Sequence, residues 1–413
     1  MNEPWTGGQY SLYRALLGAF LVAHFTLLMP YGAELFGSGG VLAPASLSPY
    51  LGTWPNPLAS IDSPAAVAGL LIAGALAGAA LAIGWFDRVA AVSAALILGW
   101  LFQRNPLIAN PSLPLLGFLL VLHAFVPPRP YGSLAAWRAG GAHGGNNSWR
   151  LPGHLHNAAW VVLALSYSHS GITKLFSPSW TDGQTIRLVL ENPLARDHAL
   201  RDLVLALPPV FLEWLTWGVL LVEVMFAPLV LLPRLRPFMW AAMLCTQLGF
   251  LVFLDFADLT FPMLLAHLLT FDPRWLERWA PKGPAVLLFD GTCAFCNGTV
   301  RLAHMEETRG LLRFAPLESK AGERLLACLA LQGREWRGDS IVLVDAAGHA
   351  VKSRAVAGVL ERLGGLWWLL GKLLRLVPRI IADAGYDLVG RVRHRLAGRI
   401  MSCGVLPPAR IYP

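Results

Sequence analysis

Charge is scarce in this chain. Lys, Arg, Asp and Glu make up 14% of its 413 residues, against about 25% in a soluble globular protein. The deficit excludes an ordinary water-soluble fold for most of the chain. It is also uneven: apolar runs dominate up to about Thr270, and charges return at ordinary density beyond Pro273. Cysteine is scarce as well. There are five, and only Cys293 and Cys296 stand close together, which excludes the disulfide framework of a small secreted protein. A cleavable leader is not expected, because the first apolar run, 12–29, has no basic segment before it and no small-residue cleavage site after it. No His, Cys or carboxylate spacing marks a metal site. No nucleic-acid motif accompanies the net charge of +8.

What is abundant is apolar sequence of membrane length. Spanning about 30 Å of hydrocarbon takes about 20 apolar residues as helix. Eight runs qualify as candidates: 10–29, 64–86, 88–103, 113–127, 155–176, 208–232, 238–254 and 258–272. Residues 73–82 are only Ala, Gly and Leu, with Ile83 next, a composition suited to close helix packing in lipid. The expected fold is therefore a polytopic α-helical membrane bundle of about eight spans over residues 1–275, fused to an α/β domain over 283–400. Basic residues in loops 128–154 and 233–237 and at the start of the tail, against none in 30–63, predict an integral inner-membrane protein with a cytoplasmic C-terminal domain.

Ionisable residues inside such a bundle are functional candidates. The densest cluster is Tyr167-Ser168-His169-Ser170-Gly171-Ile172-Thr173-Lys174-Leu175, followed by Pro178-Ser179-Trp180. A lysine desolvated at a helix end can serve as a base; it can equally snorkel to the interface beside Trp180. Glu213 and Glu223 are ten residues apart, close to three helical turns, and Glu223 lies deep enough to need a partner. His24, His123 and His267 read as core histidines. The Y-x-x-x-G-I-x-K-L pattern, with Tyr13-Arg14 on the first helix, resembles the HTTM family, the membrane domain shared with vitamin K-dependent γ-glutamyl carboxylase. The resemblance implies a catalytic base at Lys174 and a quinone pocket of Lys174, His169 and Trp180. The carboxylase's histidine segment falls on Asn110-Pro111-Ser112-Leu113, which has no histidine.

The tail alternates strand and helix. Val286–Phe289 is an apolar strand, and Asp290-Gly291-Thr292-Cys293-Ala294-Phe295-Cys296 leads from it into a helix over 296–307. A helix N-terminus offers free N–H groups and a positive dipole end, which favour thiolate over thiol, and the thiolate is the nucleophile of disulfide exchange. Strand 311–314, helix 318–331, strand 341–345, a return strand 349–352 and helix 354–363 follow, an order that predicts a thioredoxin-like fold. The stretch 366–381 is amphipathic and basic, suited to a membrane surface.

Asp290-Gly-x-Cys293-x-x-Cys296, Phe314-Ala-Pro-Leu, Lys352-Ser353-Arg354-Ala355, Pro378, Asp383 and Tyr386 together resemble the DCC (DUF393) thiol-disulfide oxidoreductases over about residues 285–395. The resemblance implies Cys293 as nucleophile nearer solvent and Cys296 as resolving thiol. Asp290 is read as a proton acceptor or as a cap of the turn. A thioredoxin carries a proline where this chain has Gly338-Asp339-Ser340. The expected protein is a membrane-anchored thiol-disulfide oxidoreductase acting on a disulfide or dithiol of a protein or small thiol. It touches lipid, requires no cofactor, and has a quinone as its optional electron partner. Two alternatives stay open: a carboxylase-like lyase in the bundle served by the dithiol, and a redox-sensing transporter or anchor.

Overall fold

The computed structural model describes residues 5–42, 44–108, 110–140, 148–329, 340–397 and 410–412. Each of the eight apolar runs is helical: α1 (Gly7–Leu28), α2 (Pro64–Ile83), α3 (Asp87–Arg104), α4 (Ser112–Ala124), α5 (Gly153–Lys174), α6 (Pro209–Val230), α7 (Arg236–Phe253) and α8 (Ala257–Thr270). Local chemistry sets their ends. Ser63 caps α2 by accepting a bond from the Ala66 N–H, Pro64 follows at the first helical position, and Gly84 ends the helix in the left-handed region at φ 73°.

The expected eight spans are corrected to four. Among the described residues, only Gly7–Phe36, which counts the short helical continuation of α1, Pro64–Ile83, Pro209–Val230 and Arg236–Phe253 are long and apolar enough to cross a membrane. At 13 and 14 residues, α4 and α8 reach only about 20 Å at 1.5 Å per residue. Asp87, Arg88 and Arg104 lie within α3, and α5 carries His154, His156, Asn157, Ser168, His169, Ser170 and Lys174. A hydropathy pattern marks such helices as buried without telling lipid from neighbouring protein.

The small residues of α2 meet α1. A Cβ added at Gly78 would lie 2.9 Å from Leu21 Cβ, and one at Gly74 would lie 2.8 Å from the Phe25 ring, so glycine is what lets the two helices approach. Arg14, 1% exposed, donates to the Leu81 and Ala82 carbonyls at the C-terminal end of α2. The core histidines have partners: His24 with Asp258 at 3.1 Å, His123 with Tyr10 at 2.7 Å and His267 with Tyr167 at 2.7 Å.

Beyond the bundle the order is β1 (Ala285–Phe289), α9 (Ala294–Glu306), β2 (Leu312–Pro316), α10 (Lys320–Cys328), β3 (Val342–Asp345), β4 (Gly348–Val351), α11 (Lys352–Leu363), α12 (Gly365–Leu376) and α13 (Arg379–Ala397). The sheet runs β2-β1-β3-β4; β1 and β2 are parallel, while β3 is antiparallel to both β1 and β4. Alternating side chains of β1 serve two cores. Leu287 and Phe289 pack with Val300 of α9 and Ala355 of α11, and Leu288 packs with Leu326 of α10. Gly338, Asp339, Cys403 and the end of the expected domain at residue 400 lie outside the described residues.

The amphipathic stretch 366–381 takes in nearly all of α12 and the start of α13. Pro378 cannot extend α12, and α13 starts at Arg379. Leu366 at the start of α12 joins the core of the bundle, while Leu369, Leu373 and Leu376 are exposed.

Candidate active site

The dithiol sits where β1 hands over to α9. Asp290 Oδ1 accepts from the Thr292 N–H at 2.9 Å and from the Thr292 hydroxyl at 2.8 Å, an Asx turn that reverses the chain. Cys293 is the N-cap of α9, and its Sγ accepts from the Cys296 N–H at 3.2 Å. A cysteine here does the work of the usual Ser or Asp cap. The sulfur therefore folds back over the helix end, with a backbone donor and the positive end of the helix dipole upon it.

This capping role changes the expected exposure. Cys293 was expected to be the thiol nearer solvent; it is 0% exposed and Cys296 is 5% exposed. The outer rim is formed instead by Thr292 and Phe295. The ligating atoms of Asp290, Cys293 and Cys296 all lie within 4.8 Å of one another. A structural zinc takes four ligands. Among the described residues no fourth His, Cys, Asp or Glu completes this group, whereas two thiols this close are suited to forming and breaking a disulfide.

Two supporting residues escaped the sequence reading. Asn297, buried on α9, donates to the carbonyls of Gly291 and Cys293, both at 2.9 Å, and so ties the loop to the helix. Glu318, just after β2, accepts from the Gly291 N–H at 3.3 Å. A polar residue directly after the second cysteine was the available signal for Asn297; Glu318 had none, because its contact crosses 27 residues.

In the bundle, Lys174 and Trp180 meet, with Lys174 Nζ 4.4 Å from the ring centroid. His169 is exposed and does not join them, since five residues along α5 is a turn of about 140° around its axis. Lys174 Nζ instead lies 2.6 Å from both carboxylate oxygens of Glu223, which is buried on α6. Gly171 permits this closeness, because a Cβ there would meet Val224 N at 2.5 Å. Ser168 explains another part of the motif. Pro228 has no N–H to give the Val224 carbonyl, and the Ser168 hydroxyl donates to that oxygen at 3.1 Å. Glu223→Ala is expected to destabilise the protein by about 1–3 kcal/mol, less than a fully buried pair would give, because Lys174 is partly exposed. A double-mutant cycle with Lys174→Ala in detergent should show a coupling of at least about 0.5 kcal/mol; strictly additive effects would show that the pair does not bind α5 to α6.

The chain matches a family model described as DCC1-like thiol-disulfide oxidoreductase over residues 287–399. It is similar to the uncharacterized protein YuxK of Bacillus subtilis (strain 168), 33% identical over 124 residues that make up 30% of this chain and 88% of that protein. It is also similar to a chloroplastic DCC family protein of Arabidopsis thaliana, 32% identical over 120 residues, 29% of this chain and 67% of that protein. No solved structure matches the chain.

Proposed function

Because the chain belongs, through the region that carries Cys293 and Cys296, to the DCC thiol-disulfide oxidoreductase family, we propose that it is a membrane-anchored thiol-disulfide oxidoreductase. The observation that carries this reading is the pair of close sulfurs at the N-terminus of α9, one of them capping the helix. In exchange, the Cys293 thiolate attacks a disulfide, one substrate thiol leaves with the electron pair, and a mixed disulfide forms. Cys296 then attacks Cys293 Sγ, releasing the second substrate thiol and leaving the internal disulfide. The reverse sequence oxidises a dithiol. Asp290 is proposed as the cap of the turn. The β-α-β-α-β-β-α order with sheet order β2-β1-β3-β4 supports a thioredoxin-like reading of this domain.

Four helices of membrane length support an integral membrane protein, with a helical domain up to about residue 275 and the dithiol domain from about residue 283. The basic loops support a cytoplasmic position for the dithiol, where cellular thiols are kept reduced and a close pair serves catalysis rather than stapling. Lys174, held by Glu223 and Trp180, is proposed as a joint between α5 and α6.

The test uses the full chain purified in detergent. Equilibrated across thiol-disulfide buffers, it should lose two hydrogens reversibly between Cys293 and Cys296, as read by mass spectrometry, and should reduce or oxidise a protein disulfide with turnover. Failure to form that disulfide, or its formation without exchange, would overturn the reading. An impermeant thiol reagent should spare both cysteines in intact cells and react with the folded protein once the membrane is opened; labelling in intact cells would put the dithiol on the outer side.

A further inference from the structure

Beside the dithiol lies a cavity of about 500 Å³, within the size range of small-molecule sites. Leu287 of β1 forms its floor, α9 and α11 form its walls, and Leu374, Ala382 and Val389 close it from α12 and α13. Cys296 lines it and Cys293 does not. Among the described residues none of its lining side chains is charged; hydroxyls come from Thr299, Ser353 and Tyr386. Contacts across the domain hold α13 in place over it: the Ser353 hydroxyl donates to Asp383, Lys352 pairs with Asp387 at 2.8 Å, and the Ile341 N–H donates to the Tyr386 hydroxyl at 3.1 Å. Of the residues outside the dithiol that mark the tail in sequence, Ser353 and Tyr386 thus line this chamber, and Lys352 and Asp383 fasten the helix that closes it.

The occupant follows from the walls and from what surrounds them. An uncharged apolar lining rejects a small thiol that carries carboxylates, such as glutathione, because burying an unpaired charge is heavily penalised. The same two helices that close the cavity turn Leu369, Leu373, Leu376, Ile380, Ile381 and Leu388 outward. Large apolar side chains exposed on both helices suit contact with a membrane or an apolar partner, and such contact would set the chamber beside the source of a lipid-dissolved molecule. Building on the exchange reading above, we propose that the cavity binds an uncharged, lipid-soluble two-electron acceptor of the quinone class and that Cys296 delivers the electrons to it. This site is separate from the Lys174 region. The Cys296 thiolate adds to a ring carbon. The Cys293 thiolate then attacks Cys296 Sγ, the S–C bond breaks, and its electron pair passes into the ring. The two thiol protons end on the ring oxygens, so the dithiol becomes a disulfide and the quinone a hydroquinone.

The experiment uses the full-length protein in detergent, fully reduced, with decylubiquinone as oxidant and insulin assayed in parallel as a disulfide too large for the cavity. Hydroquinone should form with loss of the two thiols, and Leu360→Trp, which fills the cavity, should slow that reaction by roughly tenfold or more. Val356→Phe, a smaller filling, serves if the first variant does not fold. In Cys293→Ser, menadione, whose ring has an unsubstituted carbon, should add covalently to Cys296, and excess decylubiquinone should block the addition. Exchange with insulin but no quinone reduction, or quinone reduction unchanged by either filled cavity, would overturn the quinone site and leave the exchange reading standing. Failure of Cys293 and Cys296 to form a disulfide under any oxidant would remove both.

Discussion

Cys293→Ser is expected to abolish thiol-disulfide exchange, lowering turnover by at least about a thousandfold, because Cys296 then has no second thiol with which to close the internal disulfide. Cys296→Ser should fail differently. Cys293 still attacks, but nothing resolves the product, so a mixed disulfide with the substrate accumulates and is visible as a shifted band that a reductant collapses. The fold should survive both changes, since a serine hydroxyl at position 293 can accept the Cys296 N–H in place of sulfur, as it does at ordinary helix N-caps. Asp290→Asn is the informative control. It keeps an oxygen acceptor for Thr292, so activity within a factor of about three supports the cap, while a loss near that of Cys293→Ser would make Asp290 a proton acceptor. Equal turnover in all three variants and the native chain would disprove the assignment of the site.

The second large effect is expected at Glu306, at the opposite end of the same helix. Its carboxylate is 1% exposed and accepts from the Thr6 hydroxyl, from the Gly8 N–H at 2.8 Å and from Trp367 Nε1 at 2.7 Å. Thr6 is the N-cap of α1 but makes no side-chain capping bond of its own. The anion that satisfies the start of α1 thus arrives from α9, about 300 residues away in sequence, and sits where the helix dipole favours negative charge. Glu306→Ala would strand three donors, the buried Thr6 hydroxyl and Gly8 N–H and the partly buried Trp367 Nε1, the buried ones each worth about 1–3 kcal/mol when unpaired. We expect a loss of about 3 kcal/mol or more at this junction. It should be read as faster amide exchange at both the start of α1 and the end of α9, with Glu306→Gln intermediate because its amide retains one acceptor oxygen. Gly8→Ala should act in the same way, since its Cβ would lie 2.6 Å from the Glu306 carboxyl carbon. Protection unchanged in Glu306→Ala would show that the redox helix is not moored to α1 through this carboxylate.

The features legible in advance share one property: the information is local. The turn at Asp290, the two cysteines and the start of the following helix lie within seven residues, and hydrogen bonds between positions two and three apart build them, although the helix begins at Ala294 and not at the expected Cys296. Apolar runs marked the eight long helices of the bundle, though not the short ones between them, and alternation of strands and helices marked the order of the tail. Span count was not legible, because apolar sequence records burial without saying whether lipid or a neighbouring helix covers it. The exposure of Cys293 was missed for a related reason: a sequence motif puts a thiol near a helix start but does not say which way its side chain folds.

By itself the amino-acid sequence determined that this protein is a helical, apolar chain ending in an α/β domain with a dithiol at a strand-to-helix junction, since each of those follows from patterns a few residues long. Tertiary structure decided the rest. It paired Lys174 with Glu223, 49 residues apart, brought Glu306 to the start of α1, and closed an uncharged chamber beside Cys296 with helices that follow the dithiol by some 70 residues or more. Nothing local requires these meetings. They form because buried carboxylates and N–H groups must find partners wherever the chain's packing brings one within reach.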